Sequence, residues 1–426
     1  MVRIKVRRKE GSLIDKVKTA AGERGTYTLY GDGIHDDYPA IQQMLDSGKC
    51  EISLPAPDVC YLISRTLEIP SYTRLVLPRY AEIRLADGAN CPMIQNKTIP
   101  VPDYKVKGEL WDIIWSKSAD KQDCVHDFEI SGGIWNCNNR GQAENPIWTA
   151  GSGPEGYSGF GMLFVNVENF KLTNMTLKDP VNFAVTLDTA SWFTVEDITF
   201  DFNYGNPTAV NMDGIHLNGN CHYGTIRNLK GSCYDDLVAL NADEGTDGPI
   251  TNIEISGIYS TDCHSAVRLL TVKNPVEKIH ISDVYGTFYQ YGIGVTKFYP
   301  GKTTGYYDAL TFDNIYASKA ERLDLYCKAG SYVYPLIYIQ EETVVKNLKI
   351  HALHRREFMT PVETVYVGAD SVVDSLILEN ITNENHTDEP MPFLVNNGII
   401  KNLVWKEIRV GNQPLMTGSG TVERVN

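Results

Sequence analysis

A triplet of apolar positions, Φ-x-Φ-x-x-Φ, recurs along most of this chain. It reads Phe170/Leu172/Met175, Phe193/Val195/Ile198, Ile253/Ile255/Ile258, Ile279/Ile281/Val284 and Leu310/Phe312/Ile315. Later copies are Leu348/Ile350/Leu353, Leu376/Leu378/Ile381 and Leu403/Trp405/Ile408, and Gly224/Ile226/Leu229 is a weaker one. Successive copies lie roughly 23 to 38 residues apart, a spacing typical of structural repeats. The first step of two predicts a strand with alternate side chains facing inward, and the added polar residue before the third apolar position predicts a bend into another short strand. A second apolar segment falls between copies: Met162 to Val165, Phe183 to Leu187, Leu237 to Leu240, Ala266 to Leu270 and Leu336 to Ile339. Each repeat therefore predicts two or three short strands and almost no helix. An antiparallel sandwich or propeller would need tight Asn-Gly or Asp-Gly turns at regular spacing, and few occur. The pattern predicts an all-β solenoid, a right-handed parallel β-helix.

One segment departs from it. Gly31 to Leu45 reads as a turn, an Asp37 cap, Pro39 in a first helical turn and an amphipathic helix. Such a helix would close the open end of the solenoid, as terminal caps do in repeat proteins. The expected organisation is a single domain over 1–426, with a lead-in and capping helix in 24–60 and the main coil stack in 126–410.

Composition narrows the function. The 426 residues carry a formal net charge of -14, which argues against a nucleic-acid surface because phosphate binding needs a basic face. No apolar run is long enough to cross a membrane as a helix. The basic start, Met1 to Lys9, is followed by no apolar stretch, and the nine cysteines form no CxxC pair. Buried thiols in a reducing compartment are expected, hence a cytoplasmic protein.

The densest polar run inside the repeats is Asn211-Met212-Asp213-Gly214-Ile215-His216. Roughly one coil later comes Cys233-Tyr234-Asp235-Asp236, leading into Leu237 to Asn241. Residues one coil apart stack at the strand spacing of about 4.8 Å. Asp213 is thus expected beside Asp235 and Asp236, with outward side chains converging on one surface patch. Carboxylates this close repel, so at least one should hold its proton above the usual range. A proton-sharing carboxylate cluster suits glycosidic hydrolysis, in which an acid protonates the leaving oxygen and a base activates water. Asp243 and Glu244 keep a calcium site open as the alternative.

These residues resemble glycoside hydrolase family 28, the polygalacturonases and rhamnogalacturonan hydrolases, within the pectate-lyase-like β-helix superfamily. Gly31 to Gln42 is similar to the N-terminal motif of that superfamily. The family's Asn-Thr-Asp-Gly signature is matched by Asn211 to Gly214 with Met212 for Thr, its Asp-Asp signature by Asp235-Asp236, and its histidine motif loosely by Cys263-His264-Ser265. The resemblance implies an inverting hydrolase needing no cofactor or metal and acting on a carbohydrate. By position it implies Asp213 and Asp235 as the pair handling water and Asp236 as the general acid, with Asn211 and His264 near the sugar. The family's Arg-Ile-Lys signature, which holds a substrate carboxylate, should fall near Gly294 to Lys297; only Lys297 remains. Arg268, or Lys273 on the same coil, is the candidate replacement. Three long segments, Asn138 to Gly161 with Trp148, Lys297 to Tyr307, and Lys328 to Tyr334, offer aromatic residues that could stack on sugar and close a cleft into a pocket. A pocket would favour exo action. Two other functions fit less of the pattern: a lyase or epimerase on uronates using Lys297 or Arg268, and a non-catalytic carbohydrate-binding spike.

Overall fold

The computed structural model describes residues 27–97, 105–107, 112–114, 123–146, 149, 153–154, 157–297, 304–321 and 333–426. Its strands form one long sheet system in which every ladder is parallel; Lys105–Lys107 pairs antiparallel with Asp112–Ile114 in a separate hairpin. The chain is a parallel β-helix.

The repeat positions stack as the triplet requires. Ile226, Ile255, Ile281, Phe312, Ile350, Leu378 and Trp405 follow one another in register. The first six are 0% exposed. Burial of apolar surface at about 25 cal/mol per Å² along such columns is the main favourable contribution to folding.

The bend between the second and third apolar positions has a specific conformation. Asn174, Asp197, Asn228, Gly257, Asp283, Asn314, Ala352, Asn380 and Glu407 all adopt left-handed backbone angles, with φ between 51° and 71°. Asn, Asp and Gly reach that region at least cost, which explains why polar short side chains punctuate the repeat. Side chains also link successive bends: the Asn228 amide donates to Asp197 at 3.1 Å, and the Asn314 amide to Asp283 at 2.6 Å. A second left-handed bend precedes the first apolar position, at Asn169, Trp192, Tyr223, Asn252, Lys278 and Ala309.

A separate wall is built from the short strands Ile215–Leu217, Asp236–Asn241, Ser265–Leu270, Ile293–Thr296, Ile337–Ile339, Val365–Val367 and Leu394–Asn396. They pair in that order. This wall carries the acids.

The helix Tyr38–Leu45 covers the N-terminal end of the column, burying Ile41 and Leu45 in the same cluster as Leu67 and Ile69. Asp37 stands at its N-cap but makes no side-chain cap bond. Its buried carboxylate instead accepts the backbone N–H groups of Tyr30 at 2.6 Å, Gly31 at 3.2 Å and Leu62 at 3.1 Å. Three donors from the lead-in and first coil outcompete the helix N-terminus for it.

Two substitutions test this account. Ile255→Ala should cost about 2–5 kcal/mol of stability through the cavity it leaves. Ala352→Gly should instead raise the thermal midpoint, because alanine is strained at a φ of 51° and glycine is not, a gain of up to about 1 kcal/mol. A fall in midpoint for Ala352→Gly would contradict the left-handed bend.

Candidate active site

The ladder decides which acids meet. Asp236 pairs with Ser265. Continuing the Ile215–Val238 pairing back by two residues sets Asp213 against Asp236. Two hydrogen bonds agree: Gly214 N–H donates to the Asp236 carbonyl at 3.0 Å, and Asp236 N–H to Asp213 Oδ1 at 3.2 Å. Asp213, Asp236 and Ser265 therefore form one column, with Asp235 and His264 one residue to the side.

The acids do not form an open surface patch. Asp213, Asp235 and Asp236 are 1%, 6% and 0% exposed. Aromatic rings close around them: Phe183 lies flat on His216 with centroids 3.8 Å apart, Tyr289 meets His264 edge-on at 5.1 Å, and the Tyr291 hydroxyl is 3.5 Å from Asp236 Oδ1.

Each carboxylate has a different neighbourhood. Asp213 Oδ2 bonds His216 Nδ1 at 2.6 Å, and His216 Nε2 lies 3.1 Å from Glu244 Oε2. Burial alone would push the His216 imidazole down, but its bonds to Asp213 and Glu244 prevail and raise it to about 9. Burial would likewise raise Glu244, yet the bond from His216 brings it down to about 2. The pair is an imidazolium and a carboxylate at neutral pH.

Asp236 Oδ2 is 2.7 Å from Arg268 Nε, and Oδ1 accepts the Ser265 hydroxyl. Burial lifts this carboxyl to about 6, against the pull of Arg268. Among the described residues Asp235 forms no ion pair with a lysine or arginine; His264 Nδ1 lies 3.6 Å from its Oδ1. Burial, with Arg268 and Lys319 nearby, holds that imidazole well below its ordinary value, so it is neutral. Burial and the charges of Asp213 and Asp236 push Asp235 well above the usual carboxylate range. The cluster thus sets Asp235, which holds its proton, beside Asp213 bonded to His216 and Asp236 bonded to Arg268.

Asp235, Asp236 and His264 place one donor atom each within 4.8 Å of the others. Arg268 already supplies positive charge at Asp236 Oδ2, so a metal there would compete with the guanidinium. Asp243, an element of the calcium alternative, caps the next turn: its carboxylate accepts the Thr271 hydroxyl at 2.9 Å and the N–H groups of Val272 at 2.6 Å and Lys273 at 3.0 Å.

Other candidates lie in different places. Asn211 is buried at a left-handed turn, φ 51°, two residues before Asp213. Lys297 is buried with its ammonium on Glu342 rather than on an acid of the cluster. Lys273 pairs with exposed Asp247. Gly294, where the resemblance calls for a cationic strand, is in register with Arg268, and the Tyr291 ring fills the space a side chain there would take, Cε2 lying 2.7 Å from a Cβ position. Trp148 lies outside the described residues.

Three residues that the sequence did not point to join the site, His216, Ser265 and Tyr291, and Glu244, expected only as part of a calcium site, joins it as the partner of His216. His216 ends the very run that contains Asp213, and a histidine three residues from a proposed acid was an available signal. Tyr291 had none, because its approach to Asp236 spans two coils.

The sequence model "Glycosyl hydrolases family 28" matches residues 117–321. No curated protein matches the chain. Among solved structures, the family 28 exopolygalacturonase of Yersinia enterocolitica is 13% identical, with 91% of this chain and 77% of that one covered and a TM-score of 0.52. The endo-xylogalacturonan hydrolase of Aspergillus tubingensis is 15% identical, with 92% and 98% covered and a TM-score of 0.53. The surface adhesin PfbA of Streptococcus pneumoniae is 15% identical, with 92% and 91% covered and a TM-score of 0.50. Those likenesses speak to the fold, and the family match spans the coils that bear all three aspartates. The chain is a family-28-like glycoside hydrolase built on a parallel β-helix.

Proposed function

We propose that the Asp213, Asp235 and Asp236 cluster cleaves a glycosidic bond in a pectic or related oligo- or polysaccharide, with inversion of the anomeric centre. One observation carries this reading: among the described residues Asp235 is the carboxyl without a bonded cation, set beside two that have one. Asp235 is then the general acid, donating its proton to the leaving oxygen. Asp213, backed by His216, and Asp236, backed by Arg268, are the base pair that takes a proton from water. This exchanges the roles that position alone implies for Asp235 and Asp236, because ion pairing decides which carboxyl keeps its proton. The galacturonan-type substrates named for two structural neighbours support the pectic class. The closed setting of the acids favours exo action, as a pocket admits a chain end more readily than a chain middle. The cations that the lyase reading would use are already paired, Lys297 with Glu342 away from the cluster and Arg268 with Asp236 inside it, which favours hydrolysis over elimination.

The role assignment is separable by leaving group. Asp235→Asn should cut kcat on natural glycan by about 10²–10⁴-fold with little change in KM. It should lose far less on an aryl glycoside whose leaving group needs no proton. Asp236→Asn should be equally slow on both. The reverse pattern would restore Asp236 as the acid, and an unsaturated product seen by ultraviolet absorbance would replace hydrolysis by elimination.

Rate should also fall as pH drops through about 6, where Asp236 takes up a proton and ceases to act as base. An acid limb unmoved by Arg268→Lys or Arg268→Gln would contradict that origin.

The His216 and Glu244 pair sets a pH window for stability. His216 titrates at about 9 in the folded chain, above its ordinary 6.5, so its contribution is full below 6.5 and is lost as pH rises toward 9. Glu244→Gln should lower stability near neutrality by about 2 kcal/mol or more and flatten this alkaline loss. Thermal midpoints across that range check it.

A further inference from the structure

We infer that the bend row at Tyr72, Asp127, Asn169 and Trp192 is a non-catalytic binding site for a neutral oligosaccharide. The inference rests on the chain being a glycoside hydrolase, and none of these residues belongs to the acid cluster. Register places the four at equivalent positions of successive coils. Three coil steps span roughly 14 Å at the strand spacing, long enough for a short oligosaccharide.

The row has the ingredients of sugar recognition. Trp192 is 56% exposed and Tyr72 is 63% exposed, one at each end. A depression of about 550 Å³ lies beside Trp192, lined otherwise by His126, Asp127, Glu168 and Asn169. Tyr223, on the following coil, stacks on the indole with centroids 4.2 Å apart. Coil order puts Asn169 on the opposite side, so the ring face toward the depression is the one Tyr223 does not cover. An aromatic face offers stacking to the apolar C–H face of a pyranose. The planar polar groups beside it match hydroxyls: the Asp127 carboxylate, held by the Asn169 amide and by His126 Nδ1 at 2.7 Å, and the exposed Glu168.

Two features separate this row from ordinary surface. The position is a left-handed bend, taken by Asp127 and Asn169 on the preceding coils and Asn252 further along, whereas Trp192 and Tyr223 hold φ of 55° and 54° there. Bulky side chains are costly in that conformation, so retaining an exposed indole points to a use for it. The charged groups at the depression are two carboxylates and one histidine, which would repel a uronate. The ligand class is therefore an uncharged sugar chain, distinct from the galacturonan-type polymer proposed for the acids.

Titration calorimetry on the full chain tests it, with Asp235→Asn preventing turnover. A short neutral galactan oligosaccharide and an oligogalacturonate of equal length are the probes. Trp192→Asn is the test variant, because Asn suits the left-handed bend and removes only the ring; Tyr72→Asn is the second. The neutral probe should bind, and each variant should weaken it at least tenfold, while turnover of a short soluble substrate by otherwise unaltered protein stays unchanged. No binding of the neutral probe, or binding that both variants leave intact, overturns the site. So does a Trp192 effect confined to the oligogalacturonate. Loss of turnover in Asp235→Asn with no effect of Trp192→Asn on binding would sink this site and leave the proposed hydrolysis standing.

Discussion

Each coil turns at residues held in the left-handed backbone region, and the rest of the molecule depends on that repeated bend. The bend lets one residue step out of the pleat so that the next apolar side chain again faces inward. Repeated from Asn174 to Glu407, it brings Ile226, Ile255, Ile281 and Phe312 over one another and leaves the edges of every coil to pair with the next. Asn and Asp at these points serve twice, as tolerant backbone and as side-chain links such as Asn228 to Asp197.

The same stacking makes chemistry from residues that are distant in sequence. A parallel ladder sets residues of adjacent coils about 4.8 Å apart, closer than isolated carboxylates tolerate in a dry environment. The protein resolves that repulsion asymmetrically. His216, fixed by Glu244, faces Asp213; Arg268 and Ser265 face Asp236; Asp235 receives a neutral histidine and keeps its proton. Asp235 and Asp236, chemically identical neighbours, thus hold a proton with different strength because of their surroundings alone.

Enclosure is part of that chemistry. Phe183, Tyr289 and Tyr291 shield the cluster from bulk solvent, which strengthens each ion pair and raises the cost of charging Asp235. Gly294 takes part by lacking a side chain: the space beside it admits the Tyr291 ring, whose hydroxyl approaches Asp236. Where the resemblance calls for a cationic strand, this chain has the Tyr291 ring beside Gly294, and the Arg268 guanidinium stands in register one coil earlier.

The sequence by itself determined the architecture. The Φ-x-Φ-x-x-Φ period, the polar bend residues and the helix near the start follow from local rules, since strand alternation and backbone preference act over a few residues. It also nominated Asp213, Asp235 and Asp236, because one coil length separates them. Only the tertiary structure decided that the acids are enclosed rather than outward on an open face, that Asp213 is in register with Asp236, that Asp37 ties the lead-in instead of capping its helix, and that Lys297 serves Glu342. Those outcomes turn on register to a single residue and on which of several partners wins a buried charge. Both are set by contacts across coils, and no local pattern encodes them.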